Sequence, residues 1–150
     1  MNMTSAMKQQ FKAHLENLHE MLDFVKHSAA LSGLHSNLLW MVELAAEEVI
    51  VNIIKHGFPQ ELAKEGVKNP VIEICCEGLP LEEGVQIIIK DQGIPFDPLL
   101  HAPPAPIGLT LETMPIGGFG VYLFRKMMDN ASYRHINGSN ELTLVKRNSP

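Results

Sequence analysis

The chain has 150 residues and a formal charge of −5 at pH 7, with 45% hydrophobic and 19% charged residues. These proportions predict one ordered globular domain spanning residues 1–150 rather than a disordered chain. The acidic balance, without a run of Lys or Arg, argues against direct nucleic-acid binding. No apolar run approaches about 18 residues and the N-terminus lacks the apolar core of a signal peptide, so we expect a cytoplasmic protein without membrane contact.

The first part of the chain predicts one strand and two helices. Residues 11–15 are typical of a short strand. Residues 17–32, which begin with an asparagine suited to a helix cap, carry apolar side chains on one face. Residues 36–56 repeat this pattern, and Gly57 and Pro59 are typical of the residues that follow a helix.

The middle of the chain predicts a hairpin followed by a long loop. Residues 70–77 and 85–91 are two apolar strand patterns separated by a glycine-rich turn. Residues 92–118 show no periodicity and contain six of the ten prolines. A loop of that length inside a compact domain is often a functional lid. The adjacent cysteines of the first strand, Cys75 and Cys76, point to opposite faces and are interpreted as ordinary strand residues.

The last part of the chain predicts a helix and a closing hairpin. Residues 120–129 look helical, and residues 131–136 and 141–146 flank an Asn-Gly turn signal. Strands grouped beside helices predict the α+β class. We expect a two-layer sandwich with the helices on one face of a mixed, mostly antiparallel sheet.

Polar residues recur at a spacing of four on the second helix. Glu48, Asn52, Lys55 and His56 fall within one arc of about 100°. A solvated helix face explains this stripe, although aliphatic residues share and border the arc. A carboxylate and an amide one turn apart also suit a general base and a Mg²⁺ ligand. The helix alone leaves both interpretations open.

Two glycine-containing segments are further candidates for a binding site. Asp91 ends a strand, and Gly93 follows two residues later. This segment is either a polar turn or a binding site in which the Asp91 carboxylate accepts a hydrogen bond from a ligand amine, such as that of adenine, and Gly93 lets the ligand approach the backbone. Three glycines precede the last predicted helix: Gly117, Gly118 and Gly120. They either present free backbone N–H groups that bind phosphate at the start of the helix, or form a flexible hinge. Neither the P-loop nor the dinucleotide-binding pattern occurs.

The order of these motifs resembles the GHKL ATPase superfamily, which includes gyrase-type, chaperone, mismatch-repair and histidine-kinase ATP-binding domains. The matching segments are ExxxNxxxH on a helix, DxGxPFDP after a strand, GGxGxxL before a helix and NELTLVK in the last strand. Within the superfamily, the chain length and the motifs PFDP and GGFGVYL are most similar to those of the bacterial anti-sigma-factor serine/threonine kinases. The resemblance implies a Bergerat ATP-binding fold over nearly the whole chain.

The resemblance also implies a role for each matching residue. Glu48 would act as general base on a substrate hydroxyl, and Asn52 would be the Mg²⁺ ligand. His56 would lie near the phosphates, Asp91 would bind the adenine amino group and Gly93 would support the pocket. The ATP lid and triphosphate cradle would be formed by three glycines: Gly117, Gly118 and Gly120. Thr143 would help to close the adenine pocket through its hydroxyl.

The activity implied by the resemblance is a Mg·ATP-dependent serine/threonine protein kinase. Such kinases phosphorylate a small anti-sigma-factor antagonist, bind a sigma factor and form homodimers. The alternative is a nucleotide-gated protein-binding module without kinase activity, but the presence of both Glu48 and Asn52 favours the enzyme. These kinases commonly present an arginine to the sigma factor on the first helix, whereas residues 17–32 contain none.

Overall fold

The computed structural model describes residues 6–58, 69–97 and 126–149. Two α-helices and five β-strands form the described part of the chain. In chain order they are β1 Met7–Lys12, α1 Leu18–Leu31, α2 Leu39–His56, β2 Val71–Gly78, β3 Gly84–Asp91, β4 Asn130–Ile136 and β5 Ser139–Arg147. Short 3-10 turns occur at Leu15–Asn17, Ser36–Leu38 and Pro80–Glu82.

The five strands form one sheet in the order β1-β2-β3-β5-β4. Every described strand pair is antiparallel. Both helices pack on the same face of the sheet, and their apolar stripes meet the inward-facing strand residues. The predicted α+β two-layer sandwich is therefore confirmed.

Strict alternation of buried and half-buried residues explains how β2 and β3 form the centre of the sheet. Ile74 of β2 lies opposite Ile89 of β3, and Ile87 of β3 lies opposite Leu144 of β5. These side chains point toward the helices because residues two apart on a strand share a face. Each is at most 1% exposed. Burial of one such side chain contributes about 1.5–3 kcal/mol, so this row anchors the sheet under α2.

The first two predicted helices and both predicted hairpins agree with the structure. The turn between β4 and β5 has positive φ at both central residues, 53° at Asn137 and 78° at Gly138. That combination is typical of a type I′ hairpin turn. Asn17 precedes α1 as expected, but its side-chain amide donates to the Lys12 carbonyl at 3.2 Å and makes no cap bond.

The predicted position of the first strand was wrong by four residues at its start. The strand begins at Met7, and residues 15–17 form a 3-10 turn. β1 is an edge strand in which only Phe11 is fully buried, so its apolar alternation is too weak to define its limits.

Several predicted features lie outside the described residues. Most of the predicted lid over 92–118 and of the helix over 120–129 falls there, although residues 126 and 127 are helical. Both cysteines are free, as expected for ordinary strand residues. Within the described ranges, no helix is long and apolar enough to cross a membrane.

Candidate functional site

A pocket opens where the C-terminal end of α2 meets the end of β3 and the beginning of β5. Its volume is about 510 Å³, including solvent space at its mouth. Aliphatic and aromatic side chains form most of the wall, and a few polar groups converge on it. The lining residues are Val49, Asn52, Ile53, His56, Gly57, Ile89, Asp91, Ile94, Phe96, Tyr133, Asn140 and Leu142.

Asp91 is the buried carboxylate of this pocket. It occupies the last helix-facing position of β3, after an aliphatic row, and is only 3% exposed. Its Oδ1 accepts hydrogen bonds from the Gly93 backbone N–H at 2.8 Å and from Asn140 Nδ2 at 3.1 Å. Within the described residues, no donor reaches Oδ2. Burial raises the pKa of Asp91 above its usual value, and the bonds from Asn140 and Gly93 partly oppose this rise.

Asn140 connects Asp91 to the chain segment that follows β3. The two residues are directly paired in the β3–β5 register. Besides Asp91, the Asn140 amide donates to the Ile94 carbonyl at 2.9 Å. Its Oδ1 accepts a hydrogen bond from the Tyr133 hydroxyl, and another from the Phe96 backbone N–H at 3.4 Å. Asn140 therefore fixes one side of the pocket.

Ile94 and Phe96 supply the outer apolar wall. They are 39% and 43% exposed, which is high for large apolar side chains that line a pocket. The Phe96 backbone N–H also donates to the Tyr133 hydroxyl oxygen at 3.2 Å, which attaches this segment to β4. An exposed aromatic ring held at a pocket mouth is suited to cover a flat ligand.

Two glycines allow the segment after β3 to approach the end of α2. The Ile94 backbone N–H donates to the Gly57 carbonyl at 3.0 Å. A Cβ atom at Gly93 would press against that same carbonyl oxygen and would lie 2.8 Å from Asp91 Oδ1. Gly93 therefore supports the pocket from behind because no larger residue fits between Asp91 and α2.

The polar face of α2 forms the opposite side of the pocket. Asn52 and His56 line it, and Glu48 lies one turn before Asn52 on the same face. Glu48 is half-buried and is not among the lining residues. Burial raises the pKa of Glu48, as does the neighbouring Glu47 carboxylate, whereas Lys55 lowers it. A carboxyl group with a raised pKa is suited to accept and release protons near neutral pH.

The sequence matches the family description "Histidine kinase-like ATPase domain" over residues 11–146. The chain belongs to this family.

Two relatives of this histidine kinase-like ATPase domain are protein kinases by name. The chain is 29% identical to the serine/threonine-protein kinase BtrW of Bordetella bronchiseptica over 130 residues, which cover 86% of this chain and 84% of BtrW. It is 28% identical to the serine-protein kinase RsbW of Listeria monocytogenes serovar 1/2a, over 73% of this chain and 67% of RsbW. The resemblance to GHKL-type serine kinases is confirmed.

A solved structure supports the fold assignment. The crystal structure of the RsbU and RsbW domains of a Mycobacterium tuberculosis protein superposes with a TM-score of 0.59 at 16% identity. The match covers 96% of this chain and 32% of that one, so this chain spans about a third of that protein. At this identity, the likeness shows the fold of the histidine kinase-like ATPase domain.

The structure brings together several of the residues predicted from the sequence. Asn52, His56 and Asp91 line one pocket, with Gly93 behind Asp91 and Glu48 beside Asn52. Thr143 does not join them. It alternates with Leu142 and Leu144, which face the helices, and therefore points to the opposite face of the sheet. The predicted lid glycines lie outside the described residues: Gly117, Gly118 and Gly120.

Sequence reasoning missed Asn140, Tyr133, Ile94 and Phe96. A signal for Asn140 was present, because it lies two residues before Leu142 in the alternation that defines the buried face of β5. The same period excludes Thr143 from that face. Tyr133 and Phe96 meet only through the β4–β5 pairing and the return of the chain after β3, and no local pattern indicates that contact.

The donor set is compatible with a metal ion that is bound mainly through a ligand. Within the described residues, no group of three or more His, Cys, Asp or Glu side chains is arranged to hold a metal. Asn52 offers an amide oxygen at the pocket, and Mg²⁺ commonly takes one or two protein oxygens together with phosphates and water. The residues present therefore fit Mg²⁺ delivered with a nucleoside triphosphate.

Proposed function

We propose that this protein is a Mg·ATP-dependent serine/threonine protein kinase of a partner-switching pathway. Its substrate is a small anti-sigma-factor antagonist, and its second partner is a sigma factor that it binds as an anti-sigma factor in the cytoplasm. The protein acts as a homodimer. The family membership supports ATP use, and the names of BtrW and RsbW support protein phosphorylation.

The observation that carries this proposal is the carboxylate oxygen of Asp91 that receives no donor from the described residues, at the base of an apolar pocket. Oδ1 accepts from Gly93 and Asn140, whereas no described residue donates to Oδ2, so this oxygen could accept from a ligand. The exocyclic amino group of adenine is such a donor. Ile94 and Phe96 flank the same space with apolar surface suited to the faces of a purine ring.

The polar face of α2 supplies the groups for the triphosphate end. Asn52 would hold Mg²⁺ through its amide oxygen, and His56 would lie near the phosphates. When bound, Mg²⁺ supplies positive charge that offsets the charge of the phosphate oxygens. Glu48, about 6 Å along the helix axis from Asn52, would accept the proton of the substrate Ser or Thr hydroxyl as it attacks. Gly117, Gly118 and Gly120 would close over the phosphates.

A second candidate function is a nucleotide-gated binding module without phosphoryl transfer. One observation favours it: Glu48 stands beside the pocket and does not line it. In this alternative, ATP or ADP would determine which protein surface is available, and Glu48 would have no chemical role.

A binding measurement followed by a transfer assay tests both candidates. Mg·ATP should raise the unfolding temperature beyond the effect of Mg²⁺ alone, because a ligand of the folded state stabilises it. With the antagonist encoded beside it, labelled phosphate should then appear on a Ser or Thr of that protein. Binding without transfer would support the gated module. Absence of any nucleotide-dependent shift would exclude both.

A further inference from the structure

Three side chains from three neighbouring strands form a continuous hydrogen-bonded chain in the pocket wall. The Tyr133 hydroxyl of β4 donates to Asn140 Oδ1 of β5, and Asn140 Nδ2 donates to Asp91 Oδ1 of β3 at 3.1 Å. Tyr133 lines the pocket but is not part of the proposed phosphate chemistry. Its hydroxyl contacts Asn140, which in turn contacts Asp91.

The direction of this chain is fixed by its other contacts. Asn140 Oδ1 also accepts from the Phe96 backbone N–H, and Nδ2 also faces the carbonyl oxygens of Ile94 and Gly93 at 2.9 and 3.4 Å. A reversed amide would set its oxygen against three acceptors, including the Asp91 carboxylate. Donation therefore runs from the Tyr133 hydroxyl through the amide to Asp91.

We propose that Tyr133 is a positioning residue for base selectivity, which holds Asp91 as an acceptor-only carboxylate and so selects a 6-amino purine over a 6-oxo purine. This inference rests on the proposed function and deepens it. A hydrogen bond into an amide oxygen polarises the amide and strengthens donation by its N–H group. The strengthened bond stabilises the ionised form of Asp91 against the cost of burial.

An ionised carboxylate discriminates between the two kinds of purine. It accepts a hydrogen bond from the 6-amino group of adenine and repels the 6-oxo oxygen of hypoxanthine. Among the described residues, the charged and titratable groups around the Tyr133–Asn140–Asp91 chain include His56 of α2, His135 of β4 and Asp97, which acts on Tyr133. None of the three donates a hydrogen bond to Asp91 in the described structure. The short-range donors to Asp91 are therefore the Gly93 backbone and Asn140.

Tyr133 also makes a contact that acts equally on any base. Its hydroxyl oxygen accepts the Phe96 backbone N–H at 3.2 Å and helps to hold the outer wall. Loss of this contact weakens purine binding irrespective of the 6-substituent. Loss of the path through Asn140 weakens recognition of the amino group alone. The ratio of affinities separates these two effects.

The test is Tyr133→Phe in the full chain, with Kd values for Mg·ATP and Mg·ITP measured by calorimetry. The variant keeps the ring and removes only the hydroxyl. Because both contacts of the hydroxyl are lost, both affinities should fall, and ATP affinity should fall about 3- to 10-fold more than ITP affinity, the usual effect of one neutral hydrogen bond. Ser132→Ala is the control, because Ser132 is an exposed hydroxyl on the other face of β4 and should leave both affinities unchanged.

Two results would overturn the role of Tyr133 alone, and a third would also overturn the proposed function. Equal weakening of ATP and ITP would show that Tyr133 only supports the wall, and unchanged affinities would show that it has no role in binding. In both cases the wild-type protein still binds ATP and the proposed function stands. A wild-type protein that binds neither nucleotide overturns the proposed function and the inference together.

Discussion

Asp91 combines a stability cost with a binding role. Burial raises its pKa, so ionisation of this carboxyl opposes folding. The protonated carboxyl therefore contributes stability that is fully present below the unfolded pKa of about 3.9. This contribution is lost as the pH rises through the raised pKa of the folded state. In the folded protein, the ionised form of Asp91 is therefore unfavourable without a ligand and useful with one.

Replacement of Asp91 by Asn should separate these two effects. The ligand-free variant should be at least as stable as wild type at pH 7, and this difference should shrink as the pH falls toward the unfolded pKa of about 3.9, because burial raises the pKa of the folded carboxyl. ATP affinity should fall about 10- to 100-fold because a charge-assisted hydrogen bond is lost. Urea unfolding at both pH values and calorimetric titration measure the two quantities. Unchanged ATP affinity would remove Asp91 as the adenine anchor.

Glu48 should affect the chemical step and leave nucleotide binding unchanged. Glu48→Gln should reduce phosphate transfer to the antagonist about 100- to 10,000-fold, the usual contribution of a general base. ATP should bind with wild-type affinity because Glu48 stands beside the pocket. Since burial and Glu47 raise the pKa of Glu48, the wild-type rate should increase with pH as the carboxyl loses its proton. Equal rates for variant and wild type would contradict the assignment.

At the scale of elements, the pocket depends on the junction between the end of α2 and the segment after β3. The Ile94 N–H to Gly57 carbonyl bond joins them, and Gly93 occupies a space too small for a Cβ atom. This junction sets the distance between Asn52 on the helix and Asp91 on the sheet. A change in the junction should therefore alter the site without touching a ligand-contacting side chain.

Gly93→Ala tests this junction. The added methyl should force the segment away from Gly57, cost about 1–3 kcal/mol of stability and abolish detectable ATP binding. Gly138→Ala is the matched control: φ is +78° there, but an added Cβ meets nothing within 4 Å. It should cost about 1–2 kcal/mol through backbone strain and leave ATP affinity intact. Wild-type affinity in Gly93→Ala would show that the junction tolerates displacement.

Local sequence patterns predict part of this architecture, and the alternation of residues along the strands shows where they fail. The limits of α1 and α2, the central hairpin and the Asn-Gly turn depend on local patterns, and their predictions were confirmed. The limits of β1 were not predictable because its outward face is polar and only Phe11 is buried. On β5, the period of two indicates Asn140 for the pocket face, although motif resemblance alone had suggested Thr143. Contacts of Tyr133 depend on strand pairing and were beyond local reasoning.

At the scale of the whole molecule, one end of the sandwich holds the pocket and the other end holds loops that are joined by hydrogen bonds. The pocket lies where α2 ends and β5 begins, and the opposite end holds the connections α1–α2 and β2–β3. Asn148, just after β5, ties that opposite end together. Its Nδ2 donates to the Gly33 carbonyl at 3.0 Å and to the Glu82 carbonyl at 2.9 Å, and its Oδ1 accepts from the His35 N–H at 2.8 Å.

Asn148→Ala should therefore lower global stability and leave nucleotide binding unchanged. Three side-chain hydrogen bonds between separate loops are lost, for a cost of about 2 kcal/mol after partial replacement by water. ATP affinity should stay at the wild-type value, because Asn140 and Asn148 lie eight residues apart at opposite ends of β5, roughly 26 Å along the strand. Asn37→Ala is the control, since Asn37 is exposed and no side-chain hydrogen bond from it occurs within the described structure. Chemical unfolding together with ATP titration measures both effects. A loss of affinity in Asn148→Ala at temperatures where the variant remains folded would mean that the two ends are coupled through the sheet, and that the junction of α2 with β3 does not define the site alone.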